Sequence, residues 1–315
     1  MFRGPGWCAL LCAFAGCGDN IEPPGSWGLG VTTFDAVALG LTTSTVRDPF
    51  ADAIVPTVHL QVPTYDQSGQ VVHPDVVREP SRLVLVFTPY PFTNGRFENP
   101  SVVTSQDGLA FDEPAPGENP LAPAPPIDHN DDPDLHVDPA TGEYELLYLE
   151  TLRPDTQNLV SLRSRDLVTW NRTTAISYDL AAGAPFIVSP AAIVHDGITT
   201  LFDVHLAAPH FLERMDPPWS PATAVPVAID LGGVTPWHVD VLACPTGYAM
   251  LINGFDTEFI HQDLYLATSP DLVTWTFHPT PLLSHDDPSL GVGSLYRSTG
   301  VVAGDRLIVW YSAEY

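Results

Sequence analysis

Apolar and polar positions along this chain alternate in short runs. EYELLYLET, NLVSLRS, YAMLING, DLYLATS and RLIVWYS are rich in β-branched and aromatic residues, and Pro, Gly, Asp and Asn bound them. This is the signature of short strands joined by tight turns. Helical periodicity is absent over any long stretch, and 33 prolines disfavour helices. The pattern predicts an all-β chain.

A repeat organises those strands. SRDLVTW (164–170) returns as SPDLVTW (269–275), and a weaker copy, SQDGLAF, occupies 105–111. The second and third copies lie about two units apart, and SPAAIVHDG (189–197) and TLFDVHL (200–206) supply strands of an intervening unit that lacks the motif. Around the 164–170 copy the chain reads DPDLHVD, a turn at PATG, EYELLYLET, NLVSLRS and VTWNRT; around the 269–275 copy it reads WHVDVLA, a turn at CPTG, YAMLING, DLYLATS and VTWTF. In the motif the Asp is expected to cap the hairpin between third and fourth strands, and the Trp to pack between neighbouring units. The last unit, LYRSTGVV-AGD-RLIVWYSAEY, stops after two strands. Repeating four-stranded units predict a five-bladed β-propeller of antiparallel blades, closed when strands from the N-terminal region complete the unfinished unit. A β-sandwich also has many short strands, but it does not call for an unfinished final unit.

The charge narrows the partners. Acidic residues outnumber basic ones 38 to 12, for a formal charge of −26. Such a field repels a nucleic-acid duplex, so nucleic acid is excluded as a partner. MFRGPGWCALLCAFAGCGDN reads as an export signal: Arg3, an apolar run from Trp7 to Ala15, then small residues before Cys17. The stretch resembles a bacterial lipobox, with Phe14 where Leu is usual, and implies cleavage and lipidation at Cys17. The expected division is a signal over 1–17, a tether over 18–30 and one propeller over 31–315, anchored to the bacterial envelope by its lipid. Cys244 then remains alone, so neither a disulfide framework nor a thiolate metal site can form.

Candidate chemistry gathers at the starts of inner strands. HNDDPDLHVD (129–138) places Asp132 and Asp134 on one face of an extended strand, Asp131 on the other, and His129 at the same rim. WHVDV (237–241) puts His238 and Asp240 on one face, LYRSTG (295–300) brings Tyr296 and Arg297, and FENPS (97–101) places Glu98 before a third strand. Blades whose outer hairpin reads S-x-D-L-x-x-W, with inner strands starting at Asp-Pro, resemble the five-bladed glycoside hydrolases: arabinanases, xylosidases and invertase-type furanosidases. The resemblance covers roughly residues 80 to 315. It implies a funnel with an acid, an ionised carboxylate and a third, orienting acid at its mouth. On that reading Asp132 is base or nucleophile, Glu98 or Asp240 is the acid, and His238, Arg297, Tyr296 and Asp134 hold a carbohydrate. No Glu stands at a clear inner-strand position, so the family's general acid has no counterpart residue by residue. No cofactor is required, although Asp131 and its neighbours offer oxygen ligands suited to Ca²⁺ or Mg²⁺ and not to zinc. Two functions stay open: a glycoside hydrolase, and a non-catalytic propeller that binds a glycan or a partner, with a cation on the acidic cluster.

Overall fold

A computed structural model describes residues 25–256 and 260–315. The expected signal, most of the tether and Cys17 lie outside the described residues. The first described strand, Trp27–Asp35, begins inside the stretch expected to be a tether.

Five antiparallel sheets make five blades. Blade 1 is Val71–Arg78, Leu83–Pro89 and Ser101–Ser105. Blade 2 is Asn130–Val137, Tyr144–Leu152, Thr156–Ser164 and Asn171–Asp179. Blade 3 is Ile187–His195, Ile198–His205, Phe211–Met215 and the two-residue Val225–Pro226. Blade 4 is Thr235–Cys244, Gly247–Phe255, Gln262–Ser269 and Thr276–Leu283. Blade 5 starts with Ser294–Ala303 and Arg306–Glu314, and Trp27–Asp35 and Thr57–Leu60 complete it. The N-terminal strand therefore closes the ring, pairing Trp27 with Glu314 through to Asp35 with Arg306. Blade 1 departs from the four-stranded expectation. Its fourth strand is reduced to a single bridge between Thr104 and Asp112, where the 112–125 segment holds five prolines that cannot donate to a ladder.

The repeated motif does what its spacing predicts. Asp107, Asp166 and Asp271 each accept two backbone N–H groups of their own hairpin at 2.7–2.9 Å. In the last two copies a leucine, Leu167 or Leu272, takes the left-handed backbone that Gly108 takes in the first. Trp275 meets Phe202 of blade 3 edge-on at 5.8 Å, so the motif's ring lies between blades. Five apolar clusters occupy the five seams; blades 2 and 3, for example, meet through Leu147, Leu149, Ile176, Tyr178 and Leu201.

That seam carries one anomaly. Asp203 is fully buried, and neither of its carboxyl oxygens has a hydrogen-bond partner among the described residues. Burial, then the neighbouring Glu213, pushes its pKa well above the ordinary carboxylate range. A raised folded-state pKa favours folding below the unfolded value near pH 4, and that contribution is lost as pH rises through the folded value. Asp203→Asn is therefore expected to raise the melting temperature at pH 8 by roughly 2–6 °C, with little change at pH 4. Calorimetry at the two pH values checks this, and a pH-independent difference would refute it.

Candidate active site at the mouth of the channel

Each inner strand carries an irregularity near its start. The register slips between Val72 and Asp75, Asp131 and Asp134, Val188 and Ala191, Pro236 and His238, and Leu295 and Ser298. In three blades a left-handed residue sits in the bulge, each followed by proline: His73 (φ 53°), Asp132 (φ 51°) and Ser189 (φ 56°). A bulge re-aims the side chains beside it. Here it turns His73, Asp132, Ser189, His238 and Arg297 toward one another, one from each blade. Two residues further along each strand stand Asp75, Asp134, Ala191, Asp240 and Thr299, which form a second ring below the first.

Asp132 is the centre of the upper ring. Its Oδ1 meets Arg297 Nη1 at 3.1 Å, His238 Nε2 at 3.3 Å and His73 Nε2 at 3.5 Å. Its Oδ2 accepts the Ser189 backbone N–H at 2.8 Å. Ser189 also bonds Val239, tying blade 3 to blade 4, and Arg297 donates a second bond to the Pro190 carbonyl at 3.3 Å. Burial pushes the Asp132 pKa up, but His73, His238 and Arg297 outweigh it and hold the carboxyl well below its usual range. Burial pushes the His73 pKa well down, against the opposing pull of Asp132.

The tautomers then follow. His238 Nδ1 lies 2.7 Å from the Tyr296 carbonyl, which can only accept, so Nδ1 carries a hydrogen and Nε2 is left to face Asp132. His73 Nδ1 meets the Thr88 hydroxyl at 2.9 Å. Neither Nε2 has a hydrogen-bond partner among the described residues, and both face Asp132. Each gap to Asp132 Oδ1, 3.3 Å from His238 and 3.5 Å from His73, takes either a proton on the nitrogen or a cation between the two atoms. Two imidazole nitrogens and one carboxylate, with ligand atoms all within 4.8 Å of one another, are a donor set for a first-row divalent cation. An Nδ1–H fixed on a backbone carbonyl is also how ligating imidazoles are oriented.

A second cluster adjoins the first. Glu98, His129 and Asp131 also bring ligand atoms within 4.8 Å of one another. His129 bonds Asp128 at 2.7 Å through Nδ1 and Asp131 at 3.1 Å through Nε2, so both nitrogens donate. Burial opposes that charge, but Asp131, Glu98 and Asp128 outweigh it and keep the ring an imidazolium. Arg153 braces Asp128 from outside at 2.5 and 2.8 Å. Glu98 is buried, neither of its oxygens has a hydrogen-bond partner among the described residues, and it lies 3.9 Å from His73 Nδ1. Burial pushes its pKa well up; His129 pulls it down, and Asp131 and Asp132 add to the rise.

The lower ring is different chemistry. Asp75, Asp134 and Asp240 are buried and mutually close. Burial first, then their shared repulsion, raises Asp134 well above its usual range and Asp240 to about 7. Three acids this close share protons. Thr299 donates to Asp75 at 2.9 Å, and Asp134 accepts the Ala192 N–H at 3.0 Å.

Aromatic rings pack around the upper ring of polar residues. Trp27 packs on Tyr90 at 5.9 Å and on Tyr296 at 5.0 Å; Tyr296 packs on His238 at 4.5 Å, and Trp237 meets His238 edge-on. Asp132, His238, Arg297 and Tyr296, all singled out in the sequence, thus converge, with Glu98 beside them across His73. Asp134 and Asp240 face the same channel one ring deeper, away from Glu98. Asp131 points away from Asp132, onto His129. Sequence reasoning missed His73 and Asp75. The signal was HPD (73–75), which matches DPD (132–134) and SPA (189–191) in placing proline after the bulged residue.

No family model matches the chain. An A type blood N-acetyl-α-D-galactosamine deacetylase from Flavonifractor plautii is 29% identical over 313 residues, covering 78% of this chain and 40% of that protein. The chain thus spans about two-fifths of the length of this curated relative. The crystal structure of an N-acetylgalactosamine deacetylase from F. plautii, in complex with blood group B trisaccharide, superposes with a TM-score of 0.68 at 24% identity, covering 81% of this chain and 84% of that one. A thermostable family-43 glycoside hydrolase follows at 0.57 and 12%, covering 77% and 83%. The catalytic domain of a family-62 α-L-arabinofuranosidase from Coprinopsis cinerea gives 0.55 and 11%, covering 77% and 90%. The chain is a five-bladed β-propeller of the architecture found in these glycoside hydrolases and in the deacetylase.

Proposed function

We propose that the chain is a glycan-directed hydrolase that removes an N-acyl group from an amino sugar at the channel mouth, with His73, Asp132 and His238 holding a divalent cation. The observation that carries this reading is the donor set: two Nε2 atoms without hydrogen-bond partners among the described residues, both aimed at one carboxylate oxygen. The deacetylase likeness in sequence and fold supports the substrate class. A cation bound there supplies Lewis acidity toward an amide carbonyl and toward water. Two nitrogens and one carboxylate suit Zn²⁺ or Mn²⁺ better than the Ca²⁺ that an oxygen-only cluster would take.

The chain's own residues supply the rest. Arg297 keeps Asp132 ionised and, with the Ser189 N–H, fixes both of its oxygens. Glu98, whose own oxygens are uncommitted, takes the proton of the attacking water and returns it to the departing amine. His129, locked between two aspartates, stays cationic and steadies the anionic form of Glu98. Export and anchoring through Cys17 belong to the same proposal and rest on the sequence alone.

Glycosidic cleavage is the second reading, favoured by the fold and by two carboxylates, Glu98 and Asp132, at one mouth. Against it, Asp132 Oδ1 faces Arg297 and two imidazoles and its Oδ2 accepts the Ser189 N–H, an arrangement that suits a ligand better than a nucleophile. One assay separates the two. Incubation with glycans that end in an N-acetylated hexosamine should release acetate without new reducing ends. Exhaustive chelation should remove at least 99% of that release, and added Zn²⁺ or Mn²⁺ should restore it. New reducing ends without acetate would replace deacylation by glycosidic cleavage.

A further inference from the structure

We propose that Phe92 is a stacking platform for a second sugar, the pyranose next to the one that reacts, so that the site is built for the end of a glycan chain. This rests on the glycan reading above. The segment 90–98 joins the second and third strands of blade 1 on the mouth side: Pro89 pairs with Val71 at the start of the inner strand, and Glu98 closes the segment inside the site. Phe92 sits in the middle of it with 69% of its surface exposed. Phe97, 37% exposed, and Ile127, 48% exposed, lie on the two segments that lead to Glu98 and to Asp132.

The backbone makes the exposure costly. Phe92 and Thr93 are both left-handed, with φ of 53° and 56°. That conformation crowds any Cβ, and two in succession without glycine persist only where surrounding contacts impose them. Those contacts are present. Phe92 N–H donates to Gln70 Oε1 at 3.2 Å, and the same oxygen accepts Trp27 N–H at 3.3 Å. Tyr90 N–H donates to the Gln70 carbonyl at 3.0 Å, Asn94 N–H to the Pro91 carbonyl at 3.0 Å, and the Tyr65 hydroxyl to the Phe97 carbonyl at 2.8 Å. Trp27 in turn packs on Tyr296, which packs on His238. The fold therefore holds an apolar ring in water, on strained backbone, tied through one glutamine to the wall of the reacting centre. An exposed aromatic face presented rigidly beside a carbohydrate site matches the C–H face of a pyranose.

The test compares two substrates that share the reacting sugar: the methyl glycoside of the N-acetylated hexosamine, and a trisaccharide that ends in it. Phe92→Ala should raise KM for the trisaccharide about tenfold, leave its kcat unchanged, and leave both constants for the methyl glycoside unchanged. Phe92→Trp should retain the wild-type preference. Phe92→Gly, which relieves the left-handed strain, should melt at or above the wild-type temperature while losing the same preference. Equal losses on both substrates, an unaltered trisaccharide KM, or a lowered melting temperature for the glycine variant would overturn the proposal. If wild type releases acetate from neither substrate, the reaction reading fails instead, and calorimetric titration with the trisaccharide decides the subsite: binding tenfold weaker in Phe92→Ala keeps it, and equal binding removes it.

Discussion

Glu98→Gln is expected to lower kcat by 10²–10⁴-fold and leave KM within a factor of about two. The side chain keeps its shape and loses only the ability to carry a proton. Its position makes that loss decisive: Glu98 is buried, has no hydrogen-bond partner for either oxygen among the described residues, and faces both the upper ring and the His129 imidazolium. Asp132 is held by Arg297 and Ser189, Asp131 is paired to His129, and Asp240 and Asp134 lie one ring deeper, so among the described residues Glu98 is the carboxylate of the upper site with both oxygens uncommitted. The pH profile gives an independent check. Burial raises the Glu98 pKa, and a base works only when ionised, so wild-type kcat/KM should climb with pH on its acid limb and the variant's residual activity should lack that limb. The melting temperature should rise or stay level, since the variant no longer buries an unpaired acid. Undiminished turnover in Glu98→Gln would remove this residue from the chemistry.

The sequence carried the fold because propeller blades repeat their turn chemistry. S-x-D-L-V-T-W marks one hairpin through an aspartate that must accept two N–H groups, and that demand survives wherever the hairpin does. Blade 3 hides because its outer strand shrinks to Val225–Pro226 after Pro217 and Pro218. The site was partly legible for a different reason. Period-two alternation tells which face of a strand a residue occupies, so Asp132, Asp134, His238 and Asp240 could all be assigned to the channel. It does not tell depth. Residues two apart on one face are about 6.6 Å apart along the strand, and that step separates the upper ring from the lower. Nor does alternation locate a bulge, and the bulge is what turns His73 and Asp132 toward one centre. Glu98 reaches the site through the conformation of the 90–98 segment, which no periodicity encodes.

Asp132→Asn should cost both activity and stability. Activity should fall at least a hundredfold, since the two imidazoles lose the carboxylate they face. The melting temperature should fall by on the order of 10 °C, because Arg297 is fully buried and Asp132 is the carboxylate it contacts. The guanidinium's other hydrogen bond runs to the neutral Pro190 carbonyl, and a guanidinium cannot shed its proton. Breaking a buried ion pair by removing one partner costs about 3–5 kcal/mol, most of it from the charge left behind. Asparagine can still accept the Ser189 N–H, so the bulge itself should persist. The double variant Asp132→Asn/Arg297→Met separates the two losses. Deleting the orphaned cation should recover half or more of the melting temperature, while hydrolysis stays lost. If Asp132→Asn melts like wild type, Asp132 is not what keeps Arg297 buried. If the double variant regains turnover, the carboxylate serves structure and not chemistry.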